Sequence, residues 1–186
     1  MKKIAFVLLI CSFVTIFLVG CGSKKISNEF ITVNKYKGLE VDKSAYKDGK
    51  QNEDEINDEI WDKLLDECVV KKYDAEELKS YIEELELQYS YVVSDKSTPS
   101  ELASKIHGMN IEELAKEQLK KKYAVALIAE KEGLRLTDSE YEKELKKQAE
   151  INGIGSTEYE KMFGYEKLYQ RFQEERVMQF LKDNLK

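Results

Sequence analysis

The sequence predicts a mainly all-α protein: an elongated bundle of helical hairpins with protruding arms, and a short extended segment at its N-terminal lead-in. Three observations lead there. After Asn52, apolar residues recur at three- and four-residue steps almost to the end of the chain, as on helices that pack one face and wet the other. Helix-starting residues (Asp74, Thr98, Asn110, Thr137) alternate with stopping glycines (Gly108, Gly133, Gly153), which cuts the stretch into helices of ordinary length. The single proline, Pro99, stands where a first helical turn tolerates it.

The chain opens with Lys2 and Lys3, runs uncharged from Ile4 to Val19, and turns polar at Gly22. This is the pattern of a secretory leader. The four residues Leu18-Val19-Gly20-Cys21 resemble a bacterial lipobox. The resemblance implies cleavage before Cys21 and a diacylglyceryl group on its thiol, giving a lipid-anchored protein on the extracytoplasmic face of a bacterial cell membrane. Two alternatives stand beside this reading. An uncleaved anchor is disfavoured by length, since sixteen residues at about 1.5 Å each reach ~24 Å against a hydrocarbon core of ~30 Å. A simple secretory leader would also end on a small residue.

With residues 1–20 read as signal peptide, residues 21–29 form a tether. Residues 30–52 hold short extended segments, Phe30-Ile31-Thr32-Val33 and Tyr36-Lys37-Gly38-Leu39-Glu40-Val41, and then a polar linker. Helices follow over 53–70, with Ile60, Leu64, Leu65 and Cys68 inward; from the Asp74 cap to Val92; from Pro99 to His107, capped by Thr98; and from Ile111 to about Glu132, capped by Asn110. After a bridge at Leu134-Arg135-Leu136, Thr137 and Glu140 form a capping box for a fifth helix. A short helix capped near Thr157 reaches Phe163, and a last one runs from Gly164 to the terminus.

Removing Lys2 and Lys3 leaves 28 basic against 36 acidic residues, a formal charge of -8. That balance argues against a nucleic-acid partner. One histidine, His107, and one cysteine beyond the anchor, Cys68, cannot assemble a usual zinc site. No phosphate-cradling loop or nucleophile elbow appears, so neither a nucleotide nor any other cofactor is expected. The carboxylate runs read as solvated helix faces, and no catalytic residue is assigned. His107 reads as a capping or surface residue, and Cys68 as a small buried hydrophobe.

The eleven tyrosines are unusual. Tyr89 and Tyr91 flank Ser90 and must point in different directions on a helix. Either one packs while the other covers a neighbour, or they belong to an exposed amphipathic surface for loosely specified apolar partners. Met109, Met162 and Phe163, at helix junctions, are candidates for the same surface.

Three segments resemble the carboxy-terminal domain of trigger factor in order and spacing. They are residues 108–114 (Gly-Met-Asn-Ile-Glu-Glu-Leu), residues 128–138, with their Ala-Glu-Lys-Glu-Gly turn, and residues 176–184. The resemblance spans about 74–186. Tyr36 to Val41 is similar to the opening of that family's isomerase domain, but only about ten residues separate Val41 from Glu53, too few for an isomerase module. The resemblance therefore implies a helical chaperone body over 53–186, akin to the helices of SurA- and PrsA-type foldases. Unfolded or newly exported polypeptides would be its partners, and neither nucleotide nor catalysis would be involved. A prolyl-isomerase-related foldase, or a scaffold for one membrane-associated partner, is the alternative.

Overall fold

A computed structural model describes residues 28–41, 51–93 and 97–186. The leader, Cys21, most of the tether, the linker over 42–50 and part of the break before Pro99 lie outside the described residues. The fold is mainly α-helical: seven helices hold 70% of the described residues, beside one two-stranded sheet. In chain order these are β1 (Ile31–Val33), α1 (Gln51–Asp66), β2 (Cys68–Val70), α2 (Ala75–Ser90), α3 (Pro99–His107), α4 (Ile111–Lys131), α5 (Asp138–Ile151), α6 (Ser156–Phe163) and α7 (Tyr165–Asp183). Among the described residues no helix is long and apolar enough to cross a membrane.

Side-chain chemistry sets most helix starts. Thr98 with Glu101, Asn110 with Glu113 and Thr137 with Glu140 each form a reciprocal capping box, satisfying two orphan N–H groups at once. Asp74 accepts from the N–H groups of Glu76 and Glu77. Gly108, at φ 74, ends α3 in the left-handed region that a side chain would disfavour. The expected cap near Thr157 is corrected: α6 starts at Ser156 after Gly155, with no side-chain cap hydrogen bond.

A second correction concerns the helix expected over 53–70. It ends at Asp66, and Cys68–Val70 instead pairs antiparallel with β1, Ile31 opposite Val70 and Val33 opposite Cys68. Local spacing suits either state for an apolar run this short. The partner strand, far upstream, decides it, and Val69 and Val70 are β-branched. Val69 is turned outward and exposed. Tyr36 to Val41, read as extended, forms no strand. It is held by the C-terminal end of the chain, where the Gly38 N–H donates to the Asn184 carbonyl (2.7 Å) and the Lys186 N–H to that of Leu39 (3.1 Å).

The described residues divide into two compact units. One is Leu136–Phe172; the other comprises the residues before it together with Gln173–Lys186. In the larger unit α4 is central, with ten buried residues. Its Leu119, Tyr123 and Ile128 pack with Ile31, Val33, Leu39, Ile60, Leu64, Cys68, Val177 and Leu181. Each fully buried aliphatic side chain here contributes about 1.5–3 kcal/mol. The lead-in segment is thus part of this core. In the smaller unit Tyr141, Leu145, Ala149, Tyr159, Leu168 and Phe172 form a separate, aromatic-rich core.

Candidate functional site

Within the larger unit, α2, α3 and α4 build a satellite core of Leu85, Tyr89, Ala103, Ile111, Leu114 and Ala115. The inward face of α2 is Leu78, Ile82, Leu85 and Tyr89, spaced as a 3.6-residue period requires. Its root is fixed by a polar clamp. The Tyr123 hydroxyl donates to Glu77 (2.9 Å) and accepts the Asp74 N–H (3.2 Å), and Lys122 reaches the other Glu77 oxygen at 2.5 Å. The Tyr123 phenol is held well above its ordinary value, first by burial. Glu77, whose N–H donates to Asp74, spends its carboxylate on this clamp.

At the far end of α2 the chain exposes apolar groups. Tyr91 is 71% exposed, Leu87 and Val92 are 41% and Ile106, near the end of α3, is 39%. The ends of α2 and α3 meet where the Tyr89 ring stands edge-on to His107, 6.2 Å between centroids. Leu87, Tyr91, Val92 and Ile106 each lie within three residues, along the chain, of Tyr89 or His107. Exposed apolar side chains scattered singly are ordinary and contiguous ones mark contact surfaces; these four, close in sequence to one ring contact, are the candidates for such a surface. Acidic Glu83 and Glu86 are exposed on the same helix, which keeps that end hydrated.

The candidates Tyr89 and Tyr91 separate: Tyr89 is buried in the satellite core and Tyr91 stands in solvent. Tyr89 thus positions the hairpin end and has no free face. Met109 follows Gly108 and is partly buried against the same core, two residues beyond His107, which is exposed at the end of α3. Leu87, Val92 and Ile106 were missed in the sequence. Leu87 was findable, since it follows Leu85 by two positions and so points away from the packed face of α2.

Met162 and Phe163 lie in the smaller unit. Met162 is exposed, and Phe163 is partly buried with its ring 4.6 Å from that of Tyr159. Tyr165 is also exposed in part, 4.7 Å from the ring of Tyr141, whose hydroxyl donates to Glu160 at 2.8 Å. Tyr89, Tyr91 and Met109 lie in the larger unit. Each set belongs to its own unit.

Among the described residues no three His, Cys, Asp or Glu side chains stand together as a metal site. Cys68 is buried in β2, its Sγ donating to the Leu64 carbonyl at 3.1 Å. Burial pushes its thiol up to about 11, so at neutral pH it stays protonated. Comparison of the chain with family models, with curated proteins and with solved structures returns no match.

Proposed function

We propose that this chain is a membrane-anchored extracytoplasmic lipoprotein that holds unfolded or newly exported polypeptides, without nucleotide and without catalysis. The observation that carries the reading is the apolar group at the hairpin end, Tyr91, Leu87, Val92 and Ile106, left in solvent on a protein otherwise rich in charge. The lipobox-like Leu18 to Cys21 and the resemblance to the trigger factor carboxy-terminal domain supply the location and the mode of action.

Contacts at such a surface are individually modest, about 1.5–3 kcal/mol for each apolar side chain fully covered. They bind a client segment and release it as the client buries its own apolar residues, with no fuel step. Tyrosine suits the task because one flat ring offers a large apolar area with a polar rim. The excess of acidic residues keeps a loaded complex soluble.

The test is aggregation of several unrelated unfolded proteins, followed by light scattering with the chain from Cys21 onward at equimolar ratio. Delayed aggregation of all of them is the expected result. No delay with any client would rule the reading out, and binding of a single protein from intact cells by crosslinking would point to a dedicated scaffold.

A further inference from the structure

Resting on the lipoprotein reading, a second surface has a definite occupant. We propose that the outer face of the β1–β2 ribbon, at the end marked by Val69, Lys71 and Lys72, lies on the headgroups of an anionic bilayer.

The tether leads to this end. From Cys21 to Asn28 the chain spans at most about 25 Å at 3.3–3.6 Å per residue, so whatever surrounds Asn28 stays near the bilayer. Around Asn28 the structure sets lysines. The Lys71 ammonium donates to the Asn28 carbonyl at 2.7 Å, the Lys71 N–H donates to the Phe30 carbonyl at 2.8 Å, and Lys72 pairs with Glu29 while lying 4.7 Å over the Phe30 ring. Beside them Val69 is 55% exposed, across the ribbon from Thr32. An apolar side chain flanked by lysines is the composition that enters a headgroup layer.

Charge distribution selects this face over its competitors. Residues 22–50 hold seven lysines against four acidic residues, while residues 51–67 hold eight acidic residues against one lysine. On α1 Asp54, Asp58, Asp62 and Asp66 recur every fourth residue and all are exposed, forming one acidic stripe. The ribbon end is not uniformly basic, since Glu29 neutralises Lys72 and Glu67 precedes β2. The contrast with α1 gives the sign: an anionic surface repels the aspartate stripe and leaves the ribbon end, where Lys71 and Lys72 are exposed, as the face that can approach it.

The test couples the chain from Cys21, which keeps every described residue, through its Sγ to a maleimide-bearing lipid. Cys68, buried and protonated, does not compete. Vesicles of phosphatidylcholine with phosphatidylglycerol are compared with phosphatidylcholine alone, and lysine reactivity toward formaldehyde and a borane is read by mass spectrometry. The expected result is methylation of Lys71 and Lys72 slowed at least threefold by the anionic lipid, with Lys63 of α1 unchanged. Equal rates at Lys71 and Lys72 on both vesicles, or slowing at Lys63 instead, would overturn the proposal. As a second readout, Val69→Trp should add quenching by brominated anionic lipid beyond that of the parent chain, which carries Trp61, and the added quenching should be lost in Lys71→Glu/Lys72→Glu; added quenching that survives the charge reversal counts against it. Chemical coupling separates this result from cellular lipidation, which the mass of the N-terminal peptide isolated from cells reports independently.

Discussion

Replacing Tyr91 and Leu87 together by serine isolates the hairpin-end surface from the fold that carries it. A tyrosine can bury about 150–250 Å², and Tyr91 has 71% of its surface still available. At about 25 cal/mol per Å² a client covering it gains at most ~3–4 kcal/mol. Leu87, 41% exposed, adds ~0.6–1.2 kcal/mol on the same scale. If a mobile client realises about half of this, the double variant loses ~2 kcal/mol, a weakening on the order of 30-fold. Neither side chain is buried, so the fold itself should shift by no more than about 0.5–1 kcal/mol. The assay is aggregation suppression across a titration of this chain, with thermal melting by circular dichroism as the control. Unchanged suppression by a variant that melts normally would refute the assignment. Tyr89→Ala, two residues earlier and buried, should do the reverse, lowering the melting temperature by the cost of a cored aromatic, about 3–5 kcal/mol.

Other expectations follow from single features. Tyr123→Phe removes two hydrogen bonds at the root of α2 and strands the Asp74 N–H, so a loss of about 1.5–3 kcal/mol should appear as a lower denaturant midpoint; a loss under ~0.5 kcal/mol would mean that water replaces the phenol. The phenols of Tyr36, Tyr73, Tyr123, Tyr141 and Tyr165 are all held above their ordinary value, burial being the first cause in each. The unfolded chain therefore releases these protons first. Their contribution to stability is intact below about pH 10 and is lost as pH rises beyond it, so the urea midpoint should fall between pH 8 and 11, with the tyrosinate absorbance of these five rings appearing at lower pH in the unfolded chain than in the folded one. Cys21→Ala should leave aggregation suppression in solution intact and impair function in cells, read as misfolding of exported proteins; equal performance in cells would count against a targeting role for the anchor.

Helix starts were legible because their chemistry is local. Thr98, Asn110 and Thr137 each stand three residues before a glutamate that answers them, and no distant contact is needed to see it. The strand Cys68–Val70 was not legible, since its apolar residues continue the spacing of α1 and only pairing with Ile31–Val33 tells the two apart. The same limit governs the candidate surface. The spacing of Tyr89 and Tyr91 guarantees that they diverge, yet which of them goes inward depends on where α3 and α4 come to rest. The polar clamp at Tyr123 was hidden for the same reason, joining residues 46 positions apart. The division into two units has no compositional mark, because α7 runs without a break from one into the other.

That unbroken helix sets an order of assembly. Among the described residues the smaller unit is a continuous segment, Leu136–Phe172, whose contacts are short-range along the chain and can form as soon as it is made. The larger unit needs residues from both sides of it: Val177 and Leu181 complete a core begun at Ile31, and Asn184 and Lys186 close backbone bonds with Gly38 and Leu39. A chain emerging amino-terminus first therefore has its smaller unit ready while the larger one still waits for its last fourteen residues. During that interval the larger core lacks the cover of Val177 and Leu181, so a protein read as a holder of unfinished chains is, at birth, one of them.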